Sequence, residues 1–438
     1  MSPTEIKYDT NTKLERIAWL SKQDSKKEFA SLMHLYNEES LTRCFQEIDG
    51  KKALGNDKVS KEMYGQNLSN NITNLLKRMK DMAYRPQPVR QVFIPKEGKP
   101  GAVRPLGISN LEDKIIQSMT KKILESIYEP TFCSCSYGFR PGRGCHDAIK
   151  DLQDHLFNEE VATVIDIDLG NFFGTIDHQI LLDFLDERIK DFRFKRYMVR
   201  MFKAGVLNEG ELTVSPEGVP QGSICSPVLA NIFAHHVIDE WVCNIIKPHL
   251  RGHIRLFRYA DDAIICCENK DDADRVREAL GKRLTRFKLH LNEEKTKVVP
   301  FSKREASKGI SQGTFDFLGF TFYLGKSRTG RIVPKLKTTR KRLRNKLAKV
   351  KEWTQKNRYK MKLVPLWKRF CTKLMGHCQY YGVSHNYNEV AYFFDEAVKI
   401  FYKWINRRSQ RNSFSWEQFN RFLKRYPAPR PRIVHRLF

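Results

Sequence analysis

Two acidic clusters lie far apart in the chain and have the residue types needed to hold metal ions. Asp166 and Asp168 end one apolar run, and Asp261 and Asp262 lie inside another. A folded sheet can bring such strands side by side, and converging carboxylates are hard ligands that suit Mg²⁺. Two Mg²⁺ ions about 3.5–4 Å apart hold the attacking and leaving oxygens of an in-line nucleotidyl transfer. We predict Asp168 and Asp261 as the main metal ligands and Asp262 as the auxiliary one, although either cluster alone would be ordinary capping or turn residues.

The apolar pattern around these acids predicts a framework of the α+β class. Residues 161–168 read as a buried strand that ends in acid. Further along, the pattern predicts a helix over 226–246, a hairpin over 254–267, a helix over 271–287 and a strand over 288–299. Strand, helix, hairpin, helix, strand is the order of a ferredoxin-like sheet packed under helices.

The flanking regions are predicted to be largely helical. Residues 25–85 have a helical pattern, residues 91–95 and 102–106 flank a Gly/Pro turn as a hairpin, and residues 110–128 carry an apolar stripe at helical spacing. The segment 334–353 is predicted to be a basic helix with a narrow apolar seam. Such a helix either packs on the rest of the protein with its charges in solvent or binds along the phosphate backbone of a nucleic acid.

The charge distribution predicts a polyanionic partner for the C-terminal part. The chain of 438 residues has a net charge of +28, but Lys326–Phe438 holds 30 Lys/Arg against 5 Asp/Glu. The rest of the chain is almost balanced, with 48 basic and 45 acidic residues. Because a soluble surface does not need such an excess, we expect this region to contact nucleic acid. The length predicts two or three subdomains, with a boundary near Gly325.

The cysteines and the hydropathy exclude several classes of protein. The ten cysteines include no Cys-x-x-Cys pair, which argues against a zinc ribbon and a disulfide framework. We expect Cys133, Cys135, Cys266 and Cys267 to pack as small apolar residues in a reducing compartment. No run of about 18 apolar residues exists, so the prediction is a soluble cytoplasmic protein without a membrane partner.

A series of motifs in fixed order resembles the palm of a reverse transcriptase of the group II intron maturase family. They include Asp168-Leu-Gly-Asn-Phe-Phe173, Gly218-Val-Pro-Gln-Gly-Ser-Ile-Cys-Ser-Pro227, Tyr259-Ala-Asp-Asp262, Leu291-Asn-Glu-Glu-Lys-Thr-Lys297 and Phe317-Leu-Gly-Phe320. Upstream, residues 94–96, 103–108 and 136–141 are similar to the family's fingers, and residues 376–382 and 404–408 to its thumb (maturase) region. The resemblance covers nearly the whole chain from about residue 40.

The resemblance implies a right-hand polymerase: fingers over 1–160 with the N-terminal extension, a palm over 161–325 and an α-helical basic thumb over 326–438. It also implies an RNA-directed DNA polymerase that uses two Mg²⁺ ions, with Mn²⁺ as a possible substitute, to add dNTPs to a primer on an RNA template. Its partners would be an RNA/DNA template-primer and RNA, in particular a group II intron RNA whose splicing and mobility the protein would assist.

Individual residues acquire expected roles from the same resemblance. Lys96 and Arg104 would clamp the triphosphate, Gln221 would hydrogen-bond the nucleotide or its pairing partner, and Gly222 would let the backbone approach closely. Phe173 would lie under the incoming sugar and exclude a 2′-hydroxyl, although plain core packing would also explain it. Gly174 departs from the family, in which an acid often follows the paired aromatics.

Further roles concern the leaving group, the primer and the RNA. Either Lys295 or Lys297 would assist the leaving pyrophosphate, and the choice between the two lysines stays open. The primer grip would be formed by Phe317, Leu318, Gly319 and Phe320. The residues expected to bind nucleic acid are Arg340, Lys341, Arg344, Arg407 and Arg408.

Three other functions compete with this interpretation. One is a non-catalytic RNA-binding splicing cofactor, and another is an intron-independent reverse transcriptase used in host repair or antiviral defence. An RNA-templated RNA polymerase is disfavoured by the aromatic residue at Phe173. The family often carries a C-terminal endonuclease module, for which no cysteine pair or His-rich block is present here, so we expect no cleavage of the DNA target.

Overall fold

The computed structural model describes residues 9–95, 101–208, 211–218, 222–407 and 414–437. The helices are α1 Thr10–Gln23, α2 Glu38–Glu47, α3 Lys61–Gly65, α4 Leu68–Lys80, α5 Leu111–Tyr128, α6 Cys145–Asn158, α7 Phe172–Thr175, α8 His178–Asp186, α9 Phe192–Phe202, α10 Ser226–Ala234, α11 Lys270–Arg286, α12 Lys303–Ser307, α13 Arg340–Asn357, α14 Leu363–Tyr381, α15 Tyr387–Ile405 and α16 Trp416–Arg425. The strands are β1 Val89–Pro95, β2 Val103–Ile108, β3 Thr163–Asp168, β4 Val206–Asn208, β5 Glu211–Thr213, β6 Ile254–Tyr259, β7 Asp262–Cys267, β8 Lys297–Pro300, β9 Phe315–Phe317, β10 Phe320–Lys326 and β11 Ile332–Thr338.

Two compact units divide the chain. The first comprises Met1–Gly144, Ile167–Ile265 and Asp274–Thr296, and the second comprises Cys145–Asp166, Cys266–Ala273 and Lys297–Phe438. The fold is therefore a mixture of helices and sheets in each unit, as expected for the α+β class.

The N-terminal helices of the first unit form where apolar residues recur at helical spacing. A reciprocal pair of hydrogen bonds between Asn37 and Ser40 caps the start of α2. The buried face of α4 is the predicted stripe, namely Ile72, Leu75, Leu76 and Met79. α5 begins after Asn110, packs against α1 and α2, and buries Ile115, Ile116, Met119, Ile123 and Ile127. The predictions of α4 and α5 are confirmed, whereas the helical pattern over residues 25–85 holds only in part, because residues 24–32 and 48–60 form no helix.

The predicted hairpin is also present. β1 and β2 pair antiparallel from Arg90 opposite Ile108 to Pro95 opposite Val103, and the sheet continues from β1 to β4 and β5.

The predicted helix over 226–246 is confirmed but changes its pitch. After α10 it widens into π-helical turns at His235–Asp239 and Trp241–Ile246. Such turns are rare and often occur at functional sites.

A four-stranded sheet has the strand order β6-β7-β3-β8. β3 is almost completely buried, because its β-branched residues Thr163, Val164 and Ile165 fill the core. β3 and β8 pair antiparallel, with Val164 opposite Val299.

The strand predicted over 288–299 is wrong for most of its length, since β8 begins only at Lys297. Lys288 has φ +59°, and its N–H group and that of Leu289 bond back to the end of α11. The carbonyl of Asn292 then accepts the N–H groups of Lys295 and Thr296 and closes a turn. These local hydrogen bonds use the backbone groups that a strand would need.

The second unit contains the sheet β9-β10-β11 and the helices α13 to α16. Here the helix predicted over 334–353 is wrong at its start, because Pro334–Thr338 belongs to β11 and α13 begins at Arg340. Pro334, Leu336 and Thr338 alternate as buried residues along β11, which pairs with all of β10. The side chain of Thr339 caps α13 by accepting the N–H of Arg342.

A set of aromatic rings forms the core among α14, α15 and α16. These rings are Trp367, Phe370, Phe401, Phe419 and Phe422. None of the helices in the described ranges combines the length and apolarity needed to cross a membrane.

Candidate active site

A hydrogen bond between the far ends of β3 and β7 predicts that Asp168 lies opposite Asp261. The N–H of Ala162, just before β3, donates to the carbonyl of Cys267 at the end of β7 over 2.9 Å. Since β3 begins just after Ala162 and β7 ends at Cys267, these neighbouring strands can pair only if they run antiparallel. Continuing that register brings Asp168 opposite Asp261 at the other end. Directly opposed residues on antiparallel strands have Cα atoms about 4.5–5.5 Å apart and side chains on one face.

Lys295 lies against the same cluster. Its Nζ is 3.1 Å from Oδ1 of Asp168, and both side chains are partly open to solvent, at 52% and 40% exposure. The backbone N–H of Asp168 donates to Oγ1 of Thr296, and its carbonyl accepts the N–H of Asn292. The turn that replaced the predicted strand therefore aims Lys295 at the acids. Lys297, the alternative lysine, lies on β8 opposite Asp166.

The turn that carries Asp261 has a strained backbone and packs closely against the segment around Gly138. Ala260 has φ +57°, which is unfavourable for a residue with a Cβ. Gly138 packs directly beneath it, since a Cβ at position 138 would lie 2.4 Å from the N atom of Ala260. The N–H of Tyr137 donates to the carbonyl of Arg258, and the N–H of Arg258 donates to the carbonyl of Cys135. The glycine is therefore required for this close approach.

A buried ion pair that no sequence motif predicts holds the same turn. Arg258 is 1% exposed and donates from Nε and Nη2 to the two carboxylate oxygens of Asp239, each over 2.6 Å. It also donates to the carbonyl of Ala260, to Oδ1 of Asn231 and to Oγ of Ser136. Burial alone would lower the pKa of the guanidinium, but Asp239 outweighs it and raises the pKa of Arg258. The only sequence signal was an arginine inside an apolar strand beside Tyr259.

Aromatic side chains lie next to this turn. The ring of Phe139 is 6.4 Å from that of Tyr259 and 6.5 Å from that of Phe173, the predicted sugar-facing residue. Phe172 is buried and anchors the short helix, whereas Phe173 is half-buried. The structure therefore brings Phe173 and the aspartate turn into one aromatic cluster.

The departure at Gly174 has a steric reason. Asn171 adopts φ +49°, and a Cβ at position 174 would lie 2.3 Å from its Nδ2. A Cβ at Gly218 would meet the carbonyl oxygen of Gly174 at 3.1 Å. A side chain at position 174 therefore requires the Asn171 amide to move.

The predicted triphosphate and nucleotide residues are described only in part. Arg104 is exposed on β2, opposite Ile94. Lys96 and Gln221 lie outside the described residues, as does Arg408. Gly222 has φ +108°, and a Cβ there would lie 2.5 Å from the carbonyl oxygen of Gly107, so the glycine is required for its close approach to the end of β2.

The second unit contains the remaining predicted residues. Phe317 and Phe320 are buried at the facing ends of β9 and β10, and Leu318 and Gly319 form the turn between them with φ +50° and +86°. The hydroxyl of Tyr380 donates to the carbonyl of Leu318 over 2.8 Å. This hydrogen bond and the buried phenylalanines fix the shape of the turn.

The predicted nucleic-acid-binding cations of this unit are open to solvent. Arg340, Lys341 and Arg344 are exposed on the first turns of α13. Arg407 is exposed after α15, with its guanidinium 4.9 Å from the ring centre of Trp404.

Comparisons with known proteins identify the family of the chain. Residues 94–322 match the family model described as reverse transcriptase (RNA-dependent DNA polymerase). The chain is 26% identical over 465 residues to the group II intron-encoded protein LtrA of Lactococcus lactis subsp. cremoris, with 87% of this chain and 75% of that protein covered. It is 31% identical over 311 residues to protein YkfC of Escherichia coli (strain K12), with 64% of this chain and 78% of that protein covered. It is 27% identical over 130 residues to the mitochondrial nuclear intron maturase 4 of Arabidopsis thaliana, covering 29% and 16%.

Proposed function

Because the chain belongs to the reverse transcriptase (RNA-dependent DNA polymerase) family, we propose that Asp168, Asp261 and Asp262 form its polymerase centre. The protein is an RNA-directed DNA polymerase related to group II intron maturases, and it acts on RNA and nucleic-acid templates. The family carries the right-hand polymerase fold. The observation that supports Asp168 and Asp261 is the hydrogen bond between Ala162 and Cys267, because its register, continued along β3 and β7, predicts that the two acids face each other.

The donor set fits two Mg²⁺ ions. Three carboxylates supply hard oxygen ligands, and Asp168 and Asp261 are partly or fully exposed, so solvent and substrate oxygens can complete the coordination. Bound metal would stabilise the developing negative charge of the reacting phosphate. Mn²⁺ also prefers oxygen ligands and would substitute.

The residues around the acids would position the nucleotide. Lys295 would assist the leaving pyrophosphate, because its Nζ already lies beside Asp168, whereas Lys297 belongs to a neighbouring strand. Phe173 would select deoxynucleotides, since it lies in the aromatic cluster beside the acidic turn. Arg104, Lys96 and Gln221 keep their predicted roles in binding the triphosphate and the templated base.

The finer architecture is part of the same proposal. When only the four strands of this sheet are counted in chain order, β6-β7-β3-β8 is the strand order of a ferredoxin-like sheet. This order supports a palm over 161–325. The hairpin β1–β2 would belong to the fingers over 1–160. The basic helices after residue 326 would form the thumb, with residues 317–320 as the primer grip and the exposed cations of α13 and Arg407 on RNA.

Primer extension on an RNA template tests the polymerase centre. Asp261→Ala should reduce extension by at least about 1000-fold, since metal stabilisation of the transition state amounts to several kcal/mol. RNA affinity should stay within about twofold, because the cations proposed to bind RNA are untouched. The matched control is Asp274→Ala, which removes an exposed aspartate on α11. Extension by the Asp261 variant at the control rate would refute the assignment.

Assistance of intron splicing is the second activity that we propose. It is supported by the likeness to the intron-encoded protein LtrA over 87% of this chain and by the exposed basic first turns of α13. Splicing of a group II intron RNA should accelerate when the protein is added, and the Asp261 variant should accelerate it equally. An unchanged splicing rate would contradict this role and favour the intron-independent use of the polymerase.

A further inference from the structure

Three cysteine thiols meet in the first unit although they are remote in sequence. Cys133 and Cys135 lie in the segment after α5, and Cys243 lies in the π-helical part of the helix that follows α10. The three Sγ atoms lie within 4.8 Å of one another, and those of Cys135 and Cys243 are 3.7 Å apart. The expectation that Cys133 and Cys135 only pack as apolar residues therefore left out a third thiol.

The sulfur spacing suits a shared cation. Zn–S bonds of about 2.3 Å at tetrahedral angles separate two sulfurs by ~3.8 Å. A disulfide requires an S–S distance of about 2.05 Å, so the pair at 3.7 Å would have to move much closer to form one. Cys135 is buried, while Cys133 and Cys243 are half-buried, so one side of the cluster is open to an entering ion or to a water ligand.

Hydrogen bonding among the three thiols favours one thiolate at Cys243, since the pKa of Cys133 and that of Cys135 are raised while the pKa of Cys243 is lowered. Hydrogen bonds from Cys133 and Cys135 lower the pKa of Cys243, and the positive charge of Lys247 adds to that effect. The buried Arg258 interacts electrostatically with Cys133 and Cys135. Thiolates are the ligands that soft and borderline cations require, in contrast to the hard carboxylates of Asp168 and Asp261.

We propose that Cys133, Cys135 and Cys243 form a binding site for a thiophilic d¹⁰ cation such as Zn²⁺ or Cd²⁺, with a water or small anion as the fourth ligand. Its place gives it a structural consequence. The carbonyl of Cys135 accepts the N–H of Arg258, so an ion that tethers Cys135 to Cys243 also braces the strand that leads into the acidic turn. The site is independent of the polymerase proposal, because it shares no ligand with the aspartates.

Metal titration of the full chain tests the site. The reduced protein is stripped with a chelator, and Cd²⁺ is added while the ultraviolet absorption of cadmium–thiolate bonds is followed. We expect saturation at one ion per chain. Loss of a residue that only supports a metal ligand typically weakens metal affinity by about 10- to 100-fold. Cys133→Ser and Cys243→Ser should each weaken the affinity for Cd²⁺ by more than that. Cys371→Ser is the matched control, since Cys371 is half-buried outside the cluster, and it should bind like the unmodified protein.

A measurement on the unsubstituted protein covers the case that a serine variant does not fold. Zinc X-ray absorption of the loaded chain should show three sulfur ligands at about 2.3 Å. The proposal is overturned by zinc bound only through nitrogen or oxygen, by the absence of binding in fully reduced protein, or by full binding in both serine variants. A disulfide between Cys135 and Cys243 in peptides from protein handled without oxidant would equally refute it.

Discussion

Replacement of the buried arginine beneath the acidic turn should separate stability from catalysis. Arg258→Met removes the guanidinium and leaves the carboxylate of Asp239, which is 0% exposed, without its charged partner. Methionine fills similar space but donates no hydrogen bond. The backbone carbonyl of Ala260 and Oγ of Ser136 lose their bonds as well.

The expected loss follows from this burial. Removing one partner of a buried ion pair costs about 3–5 kcal/mol, because the other charge stays uncompensated. Replacing both partners by apolar residues is often nearly neutral. Asp239→Leu combined with Arg258→Met should therefore recover most of the loss. Primer extension should not recover, since the double variant still lacks the donor to Ala260 that supports a backbone with φ +57°.

Urea unfolding and primer extension measure the two effects on the same proteins. Arg255→Met is the matched control: Arg255 is exposed on the same strand, and its loss should cost less than about 1 kcal/mol. We expect the single variant to lose about 4 kcal/mol and the double variant to stay at least about tenfold slower in extension, which corresponds to about 1.4 kcal/mol in the barrier. A single variant as stable as the control, or a double variant that extends like the original protein, would refute the reasoning.

Three further predictions concern other parts of the molecule. Phe173→Val should raise ribonucleotide incorporation in competition with dNTPs, and unchanged discrimination would contradict its sugar-facing role. Burial raises the pKa of Asp113 from 3.8 to about 6, so the folded state disfavours the charged carboxylate. The folded protein should therefore lose stability as the pH rises from 3.8 to about 6. In urea unfolding, Asp113→Asn should raise the free energy of unfolding by up to about 3 kcal/mol at pH 7 and leave it unchanged below pH 4. An equal rise at both pH values would refute the predicted pH dependence. Arg340→Gln with Arg344→Gln should flatten the salt dependence of RNA binding by ~0.7 in slope per charge, and an unchanged slope would exclude α13 from the phosphate contacts.

Local sequence patterns determined the elements whose hydrogen bonds and buried stripes are set within a few residues. The stripes of α4 and α5, the hairpin β1–β2 and the strand β3 follow from periodicity and turn residues alone. The order of the motifs was enough to identify the family, because each motif is a short contiguous run. Where two local patterns competed, as in the segment that became β11 and α13, the sequence prediction failed, because pairing with β10 decided the outcome.

Only the tertiary structure decided which distant side chains meet. Asp239 and Arg258 lie on a helix and on a strand, and Cys243 joins Cys133 and Cys135 across about a hundred residues. Periodicity reports which face of an element is buried, but it does not report what packs against that face. Burial makes these contacts strong, because an unpaired charge or thiolate removed from water is costly, and burial arises only when the whole chain folds.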